Sequence, residues 1–347
     1  MTAPVDRAVS GQVQPYTSGQ CTRYAEAAPM VRGMGVESHF DVAIIGGGPA
    51  GLAAAQVLGR QRRTVVLIDN HQQRNVAASS VHMLLGREGM TPARLILAGH
   101  QELASFPTVS ILSTEATKVL VADSKVVVST RTRHKVSADH LILATGVVDQ
   151  LPSIPGIDTA YGECLFHCPL CDGFEVRDQP LVVIGGSEQA AFTAAYVQDR
   201  ISRNVQLCCN GEPDFSPETR SRLNRRGIRI IEEDVVGIHA QSDALTLRFA
   251  DSTTMTYRAG FLSVRYRQRS PISQELGCEM RDDGRVRVDH FQRSSVPNVF
   301  AVGDMARVAS ASGNMTFVAT AIASGLTAAA FLDEDIFARS WDREGIP

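Results

Sequence analysis

The sequence predicts an α/β protein with two doubly wound domains, the second inserted into the first. An apolar run, a glycine-rich turn and an alanine-rich helix follow one another twice, at residues 42–60 and 181–197. Such a unit is the first step of a parallel sheet covered by helices on both faces. The 347 residues are enough for two cores of ordinary size. We expect the first domain at 40–155 and 285–335, and the second at 156–284.

Composition and charge exclude several classes of protein. Hydrophobic residues make up 44% and charged residues 20%, as in soluble globular proteins. The formal charge of −3 gives no sign of a nucleic-acid or membrane partner. No apolar run approaches the roughly 20 residues that a membrane span needs. The seven cysteines are odd in number and unevenly spaced, which argues against a secreted disulfide framework and favours the cytoplasm.

Three segments outside the two units have patterns of their own. Residues 1–39 are rich in small and polar residues and lack the apolar segment of a signal peptide. We expect a flexible N-terminal extension there, or an overlong start with Met34 as the true initiator. Within the first domain, residues 108–143 alternate apolar and polar side chains, which predicts a small antiparallel sheet or meander. Residues 336–347 are expected to form a C-terminal tail.

A dinucleotide-binding fingerprint follows the first apolar run. Its members are Gly46, Gly48 and Gly51, with Pro49 and Ala50 between the last two. The first glycine allows a tight turn, the second lets the backbone approach a pyrophosphate, and the third lets helix and strand pack closely. Asp69, 18 residues after Gly51, is placed to accept a hydrogen bond from a ribose hydroxyl. No Arg or Lys directly follows Asp69, so a Rossmann-like domain that binds FAD or NAD is predicted.

Two further motifs distinguish FAD from NAD as the ligand. ILATGVVDQLPSIPG at 142–156 and VPNVFAVGDMA at 296–306 resemble the remaining flavin signatures of the pyridine nucleotide–disulfide oxidoreductases. The resemblance implies FAD as the cofactor, with Asp304 on the ribityl chain. It also implies a helix over about 316–331 that points its N-terminus at the isoalloxazine ring, where the dipole favours a reduced flavin's negative charge. Further residues assigned to the flavin are Asn75, Thr145, Gly146, Gly303, Phe317 and Val318, although Phe317 also fits a helix core.

The stretch FHCPLCDGFE at 166–175 places Cys168 and Cys171 two residues apart. This spacing allows a small disulfide ring when the segment opens a helix, and the helix N–H groups stabilise a thiolate. Asp172 follows directly and is placed to take or give the proton of each exchange step. Zinc would need two further ligands, and the sequence has no second Cys-x-x-Cys and no His-x-x-x-His. No metal site is therefore predicted, and an inert core pair is the other alternative.

The order of these motifs resembles the low-molecular-weight thioredoxin reductase family. The same order is similar to the flavoprotein of alkyl hydroperoxide reductase and to the dithiol oxidases of gliotoxin- and holomycin-type pathways. The resemblance covers about residues 40–335. It implies that Cys171 faces the flavin, that Cys168 exchanges with the substrate, and that the protein is a homodimer.

The second nucleotide fingerprint is damaged. It has Ser187 at the central glycine position, where a side chain obstructs a pyrophosphate. After the next strand, residues 209–211 read Cys-Asn-Gly where the family has His-Arg-Arg, so the arginines that grip a 2′-phosphate are missing. Four arginines between 220 and 226 are expected on the exposed face of a helix over 217–227. NADPH is disfavoured, while NADH with Glu212 as a ribose ligand stays open.

These motifs leave three functions open. The first is a FAD-dependent dithiol oxidase that passes electrons from Cys168–Cys171 to FAD and then to oxygen. The second is an NAD(P)H-dependent disulfide reductase, and the third is a redox-sensing flavoprotein. The expected partner is a small-molecule dithiol or disulfide, or a small redox protein.

Overall fold

We describe a computed structural model of the chain for residues 37–122, 125–241, 243–310 and 316–343. The predicted N-terminal extension, apart from residues 37–39, lies outside the described residues. The strands are β1 Glu37–Ile45, β2 Val65–Asp69, β3 Val109–Ser113, β4 Ala116–Ala122, β5 Lys125–Thr130, β6 Lys135–Leu143, β7 Val147–Gln150, β8 Leu165–Phe166, β9 Leu181–Ile184, β10 Val205–Cys208, β11 Arg229–Ile231, β12 Val235–Gln241, β13 Ala244–Phe249, β14 Thr254–Tyr257, β15 Ala259–Leu262, β16 Arg265–Gln268, β17 Val286–Val288, β18 Val299–Ala301 and β19 Ala306–Val308. The α-helices are α1 Pro49–Arg60, α2 Pro92–Leu103, α3 Ile157–Ala160, α4 Pro169–Asp172, α5 Glu188–Arg200, α6 Pro217–Arg225, α7 Ile272–Glu275 and α8 Val318–Arg343.

The first sheet has the order β3-β2-β1-β6-β5-β4, with β18 also paired to β6. Strands β1, β2, β3, β6 and β18 are parallel, and β4 and β5 continue from β6 in antiparallel pairing. The predicted antiparallel sheet or meander over 108–143 is confirmed for β4, β5 and β6, which pair antiparallel in chain order. Strand β3, at the start of this segment, instead joins the parallel part. On the edge of β6 that faces away from β1, residues 135–138 pair with β5 and residues 141–143 pair with β18.

The second domain has its own parallel sheet, in the order β11-β10-β9-β15-β8, and a three-stranded antiparallel sheet of β12, β13 and β14. Its residues pack in cores separate from those of the first sheet. The antiparallel pair β7–β16 lies where the chain leaves and re-enters the first domain. Two parallel sheets with helices confirm the predicted fold class.

The return to the first domain comes earlier than residue 285. Ile272 and Cys278 are buried in the same core as the inward-facing residues of β1 and β6. Because β16 pairs with β7, the chain is already beside the first sheet at Arg265. The packing therefore places the segment after β16 with the first domain.

The last helix is longer than the predicted 316–331 and includes residues 336–343 of the predicted tail. It packs along α1, where a side chain at Gly325 would lie 2.0 Å from the backbone oxygen of Ala50. Leu332 is fully buried and Ile336 is partly buried against the same core, so apolar contacts carry the helix past its expected end. Within the described residues, no helix has the length and apolar character to cross a membrane.

Candidate active site

The first fingerprint forms an open cradle at the start of α1. Gly46 has φ +109°, and a Cβ there would lie 2.3 Å from the Ala144 oxygen. A Cβ at Gly51 would lie 1.9 Å from the Gly46 oxygen, so the turn and the helix pack too closely for a side chain. A Cβ at Gly48 would meet nothing within 4 Å. Packing within this chain would therefore allow a side chain at Gly48. The open space fits the close approach of a pyrophosphate to the backbone.

Asp69 ends β2 beside this cradle and is almost completely buried. Its Oδ1 accepts a hydrogen bond from the His71 backbone N–H, at 3.0 Å. Its Oδ2 lies 3.1 Å from His71 Nδ1 and 3.7 Å from His100 Nε2, yet no hydrogen bond to it forms. Burial acts to raise the pKa of Asp69, but His100 and His71 outweigh it and hold the pKa well below its usual range. The site therefore keeps a buried carboxylate with a free acceptor, which fits a ribose hydroxyl.

One cavity of about 470 Å³ extends from this cradle to the dithiol. Most residues predicted to bind FAD line it, namely Gly46, Gly48, Pro49, Ala50, Asp69, Asn75, Thr145, Gly146, Gly303, Asp304, Phe317 and Val318. Phe317 lines the cavity just before α8 and is only half-buried, so it is not a core residue of that helix. The open cradle and the free Asp69 acceptor fit FAD. Gly51 lies behind the lining and acts by packing, as its predicted role requires.

Cys168 and Cys171 form a disulfide with their Cα atoms 5.2 Å apart. Cys168 caps α4, and its Sγ accepts a hydrogen bond from the Cys171 N–H at 3.1 Å. A thiolate at Cys168 would keep this donor. Cys171 and Asp172 line the flavin cavity, whereas Cys168 is not among the lining residues. The remaining cysteines of the described residues, Cys164, Cys208, Cys209 and Cys278, are buried free thiols.

Asp172, which follows Cys171 directly, has a raised pKa. Burial raises its pKa to about 6, Glu175 adds to the increase, and His82 opposes it. His82 lies 2.5 Å from Glu88 and 3.7 Å from Glu175 through its two ring nitrogens. A carboxyl group with a pKa near the working pH exchanges protons efficiently in both directions.

A network that the sequence analysis missed joins the flavin cavity to the dithiol segment. Arg74 donates hydrogen bonds to Asp304 at 2.8 Å and to Asp149 at 2.6 Å. The Tyr161 hydroxyl lies 3.0 Å from Asp149 Oδ2 and 3.1 Å from His167 Nδ1. His167 directly precedes Cys168 and lines the cavity. One feature of the sequence pointed to this network, because Arg74 directly precedes Asn75, which was predicted to bind the flavin.

The second fingerprint is hydrogen-bonded to the loop that follows β10. Ser187 caps α5 and accepts a hydrogen bond from the Ala190 N–H at 3.2 Å. The loop after β10 crosses this turn, and the Asp214 N–H donates to the Gly186 oxygen at 2.7 Å. Glu188 fixes the loop by accepting hydrogen bonds from the Ser216 N–H and the Thr219 hydroxyl, at 2.7 and 2.8 Å. The start of α5 therefore carries the Ser187 side chain at the central glycine position and the Glu188 carboxylate in its first turn.

The arginines that follow do not replace the missing phosphate grip. Arg220 pairs with Glu232 at 2.6 Å, and Arg222 pairs with Glu218 at 2.6 Å. Arg225 donates to Ser221 at 2.8 Å. These groups lie on the exposed face of α6, as the sequence predicted.

Comparisons with known proteins agree with this fold and site. The profile of the pyridine nucleotide-disulphide oxidoreductase family matches residues 40–325. A probable thioredoxin reductase of Arthroderma benhamiae is 29% identical over 83% of this chain and 80% of its own length. Thioredoxin reductase tcpT of Claviceps purpurea is 30% identical, over 78% of this chain and 88% of its own.

Solved structures give the same result. The structure of HlmI is 30% identical, with a TM-score of 0.82 over 88% of this chain and 95% of its own. A putative thioredoxin reductase, TrxB, from Bacillus anthracis is 28% identical, with a TM-score of 0.80 over 87% and 99%. The chain therefore belongs to the pyridine nucleotide–disulphide oxidoreductase family, as a thioredoxin reductase-like flavoenzyme whose cofactor is FAD.

Proposed function

We propose that the protein is a FAD-dependent dithiol oxidase. A single contrast carries the proposal. Residues that fit FAD line a cavity that reaches the dithiol, whereas the second fingerprint has Ser187 at its central glycine position and lacks the arginines that grip a 2′-phosphate in the family. An enzyme that takes electrons from a dithiol needs a flavin site and a redox-active dithiol, and it does not need a nicotinamide nucleotide site.

The substrate dithiol exchanges with the enzyme disulfide. A substrate thiolate attacks Cys168 Sγ, the Cys168–Cys171 bond breaks, and Cys171 leaves as a thiolate that Asp172 can protonate. The second substrate thiol then attacks the mixed disulfide and displaces Cys168. The substrate leaves as a disulfide. Bound FAD supplies the capacity to accept the electron pair from the enzyme dithiol and to reduce oxygen to hydrogen peroxide. The position of Cys171, and not Cys168, in the cavity lining supports this division of roles.

The cofactor would be held by residues at both ends of the cavity. Gly48 and the α1 N-terminus would take the pyrophosphate, and Asp69 would take the adenosine ribose. Asp304 would hold the ribityl chain, with Arg74 fixing its carboxylate. We also propose that the protein is a homodimer in the cytoplasm. Its proposed substrate is a small dithiol or a small redox protein.

An NAD(P)H-dependent disulfide reductase is the second candidate. Several relatives carry the name thioredoxin reductase, and β9, its turn and α5 keep the scaffold of a nucleotide site. NADH with Glu212 as a ribose ligand belongs to this candidate. A redox sensor that does not turn over is the third.

The test is an anaerobic reduction followed by admission of air. The oxidised holoprotein is mixed separately with NADPH, NADH and dithiothreitol, and the visible flavin absorbance is followed. We expect only the dithiol to bleach the flavin, and air to restore the colour with formation of hydrogen peroxide. Cys168→Ser should abolish the bleaching by dithiol. Rapid bleaching by either nicotinamide nucleotide would establish the reductase instead, and failure of air to restore the colour would favour the sensor.

A further inference from the structure

Three side chains at the end of β2 form a cluster that the flavin site does not fully explain. Asp69 ends the strand, His71 lies two residues further on, and His100 lies on α2. Among the described residues, this is the one group of three His, Cys, Asp or Glu side chains placed to hold a metal ion, with its ligand atoms within 4.8 Å of one another. The sequence predicted no metal site, because the three residues form no ligand motif along the chain.

The cluster contains buried polar atoms without partners. Among the described residues, Asp69 Oδ2 and both ring nitrogens of His100 are buried and make no hydrogen bond. Burying such atoms is costly unless a polar group or an ion satisfies them. A side chain at Gly47 would lie 2.3 Å from Asp69 Oδ2, so this oxygen lies against the first fingerprint. The unpartnered atoms are therefore next to the place where the cofactor's ribose would bind.

The distances and the ligand types suit Zn²⁺. Asp69 Oδ2 lies 3.1 Å from His71 Nδ1 and 3.7 Å from His100 Nε2. Ligand atoms about 2.0–2.1 Å from a tetrahedral zinc ion lie roughly 3.3 Å apart, so small movements of the exposed His71 side chain bring the three atoms onto one ion. His71 Nε2 lies 3.1 Å from the Ser113 hydroxyl, which can accept its hydrogen and leave Nδ1 to bind the metal.

We propose that Asp69, His71 and His100 form a zinc site that competes with FAD, so that Zn²⁺ displaces the cofactor from the holoprotein. Asp69 Oδ1 already accepts a hydrogen bond from the His71 backbone N–H. Oδ2 is therefore the oxygen that both the adenosine ribose and a zinc ion would use. This inference goes beyond the dithiol chemistry and does not depend on the direction in which that chemistry runs.

The test measures the release of FAD together with the binding of zinc. The full-length oxidised holoprotein is titrated with zinc chloride, free FAD is separated by ultrafiltration, and the metal retained by the protein is measured by atomic emission. Because Cys168 and Cys171 stay in their disulfide, they offer no thiolate to the metal. We expect one bound zinc ion for each FAD released. At a free zinc concentration of about ten times its dissociation constant, the apparent dissociation constant of FAD should rise about tenfold. Mg²⁺, which prefers oxygen ligands, should release no FAD.

The variants His100→Gln and His71→Gln each remove one of the three ligands. In each variant we expect zinc to change the apparent dissociation constant of FAD by less than about twofold. Each variant is compared with and without zinc, which separates the zinc effect from any change in FAD affinity that the substitution itself causes. The control is His290→Gln, at an exposed histidine outside the cluster, which should respond to zinc as the unchanged protein does.

Three outcomes would overturn the proposal. They are failure of zinc to bind, binding of zinc that leaves FAD in place, and release of FAD that is equal in the His71 and His100 variants and in the unchanged protein. The assay uses neither a dithiol nor oxygen, so its failure is distinct from failure of the oxidase proposal.

Discussion

Asp172 is a site where stability and activity are expected to oppose each other. Its pKa rises from 3.8 to about 6, chiefly because the carboxyl group is buried. Each unit of pKa difference between the folded and unfolded states corresponds to about 1.4 kcal/mol of free energy. Keeping Asp172 ionised therefore costs the folded protein about 3 kcal/mol. Asp172→Asn removes this cost, and we expect it to raise the free energy of unfolding by up to about 3 kcal/mol at pH 8.

The pH dependence follows from the direction of the change. Because the pKa of Asp172 is higher in the folded state, the folded protein binds this proton more tightly than the unfolded chain. The resulting stability is fully present below about pH 4 and is lost as the pH rises through about 6. The asparagine variant has no such dependence. Its advantage should therefore be near zero at pH 4 and complete above about pH 7.

The assay is unfolding of the oxidised holoprotein by urea at several pH values, together with anaerobic bleaching by dithiothreitol. Asp172→Asn should slow bleaching at least about a hundredfold, as loss of a general acid–base group does. Asp178→Asn is the matched control, because Asp178 is exposed and lies on the segment that follows the dithiol. A stability difference that does not change with pH, or a variant that is less stable at pH 8, would refute the reasoning.

Three further predictions concern the nucleotide sites. Gly48→Ala should leave the melting temperature of the apoprotein unchanged and lose FAD affinity, because its Cβ enters open space within the chain. Gly51→Ala should unfold, because its Cβ would lie 1.9 Å from a backbone oxygen; flavin content and circular dichroism separate the two. Arg74→Gln should cost about 3 kcal/mol or more by leaving buried carboxylates unpaired, and a melting curve unchanged from the parent would contradict this. Ser187→Gly should lose only a few tenths of a kcal/mol of helix capping and still show no bleaching by NADPH, since the arginines that would grip a 2′-phosphate are still absent; gain of NADPH reduction would show that the serine alone disables the site.

Local patterns were sufficient for much of this protein. The spacing of Gly46, Gly48 and Gly51 determines the turn, because the constraint lies within six residues of chain. The Cys168–Cys171 spacing likewise determines a small ring at the start of α4. Continuous apolar runs predicted β1 and β9, and the alternating pattern predicted strands within 108–143. The length of α8 was missed because its last turns depend on contacts with the core.

The tertiary structure decided the features that depend on distant parts of the chain. Arg74 meets Asp149 and Asp304, which lie 75 and 230 residues away. The Tyr161 hydroxyl contacts both Asp149 and His167, which lie on separate segments. The hydrogen bonds between the second fingerprint and the loop after β10 likewise join separate segments. The sequence by itself determined the fold class and the position of the dithiol, since both depend on short-range spacing. Only the folded chain determined the Arg74 network and the raised pKa of Asp172, because hydrogen bonds and burial arise from contacts between segments far apart in sequence.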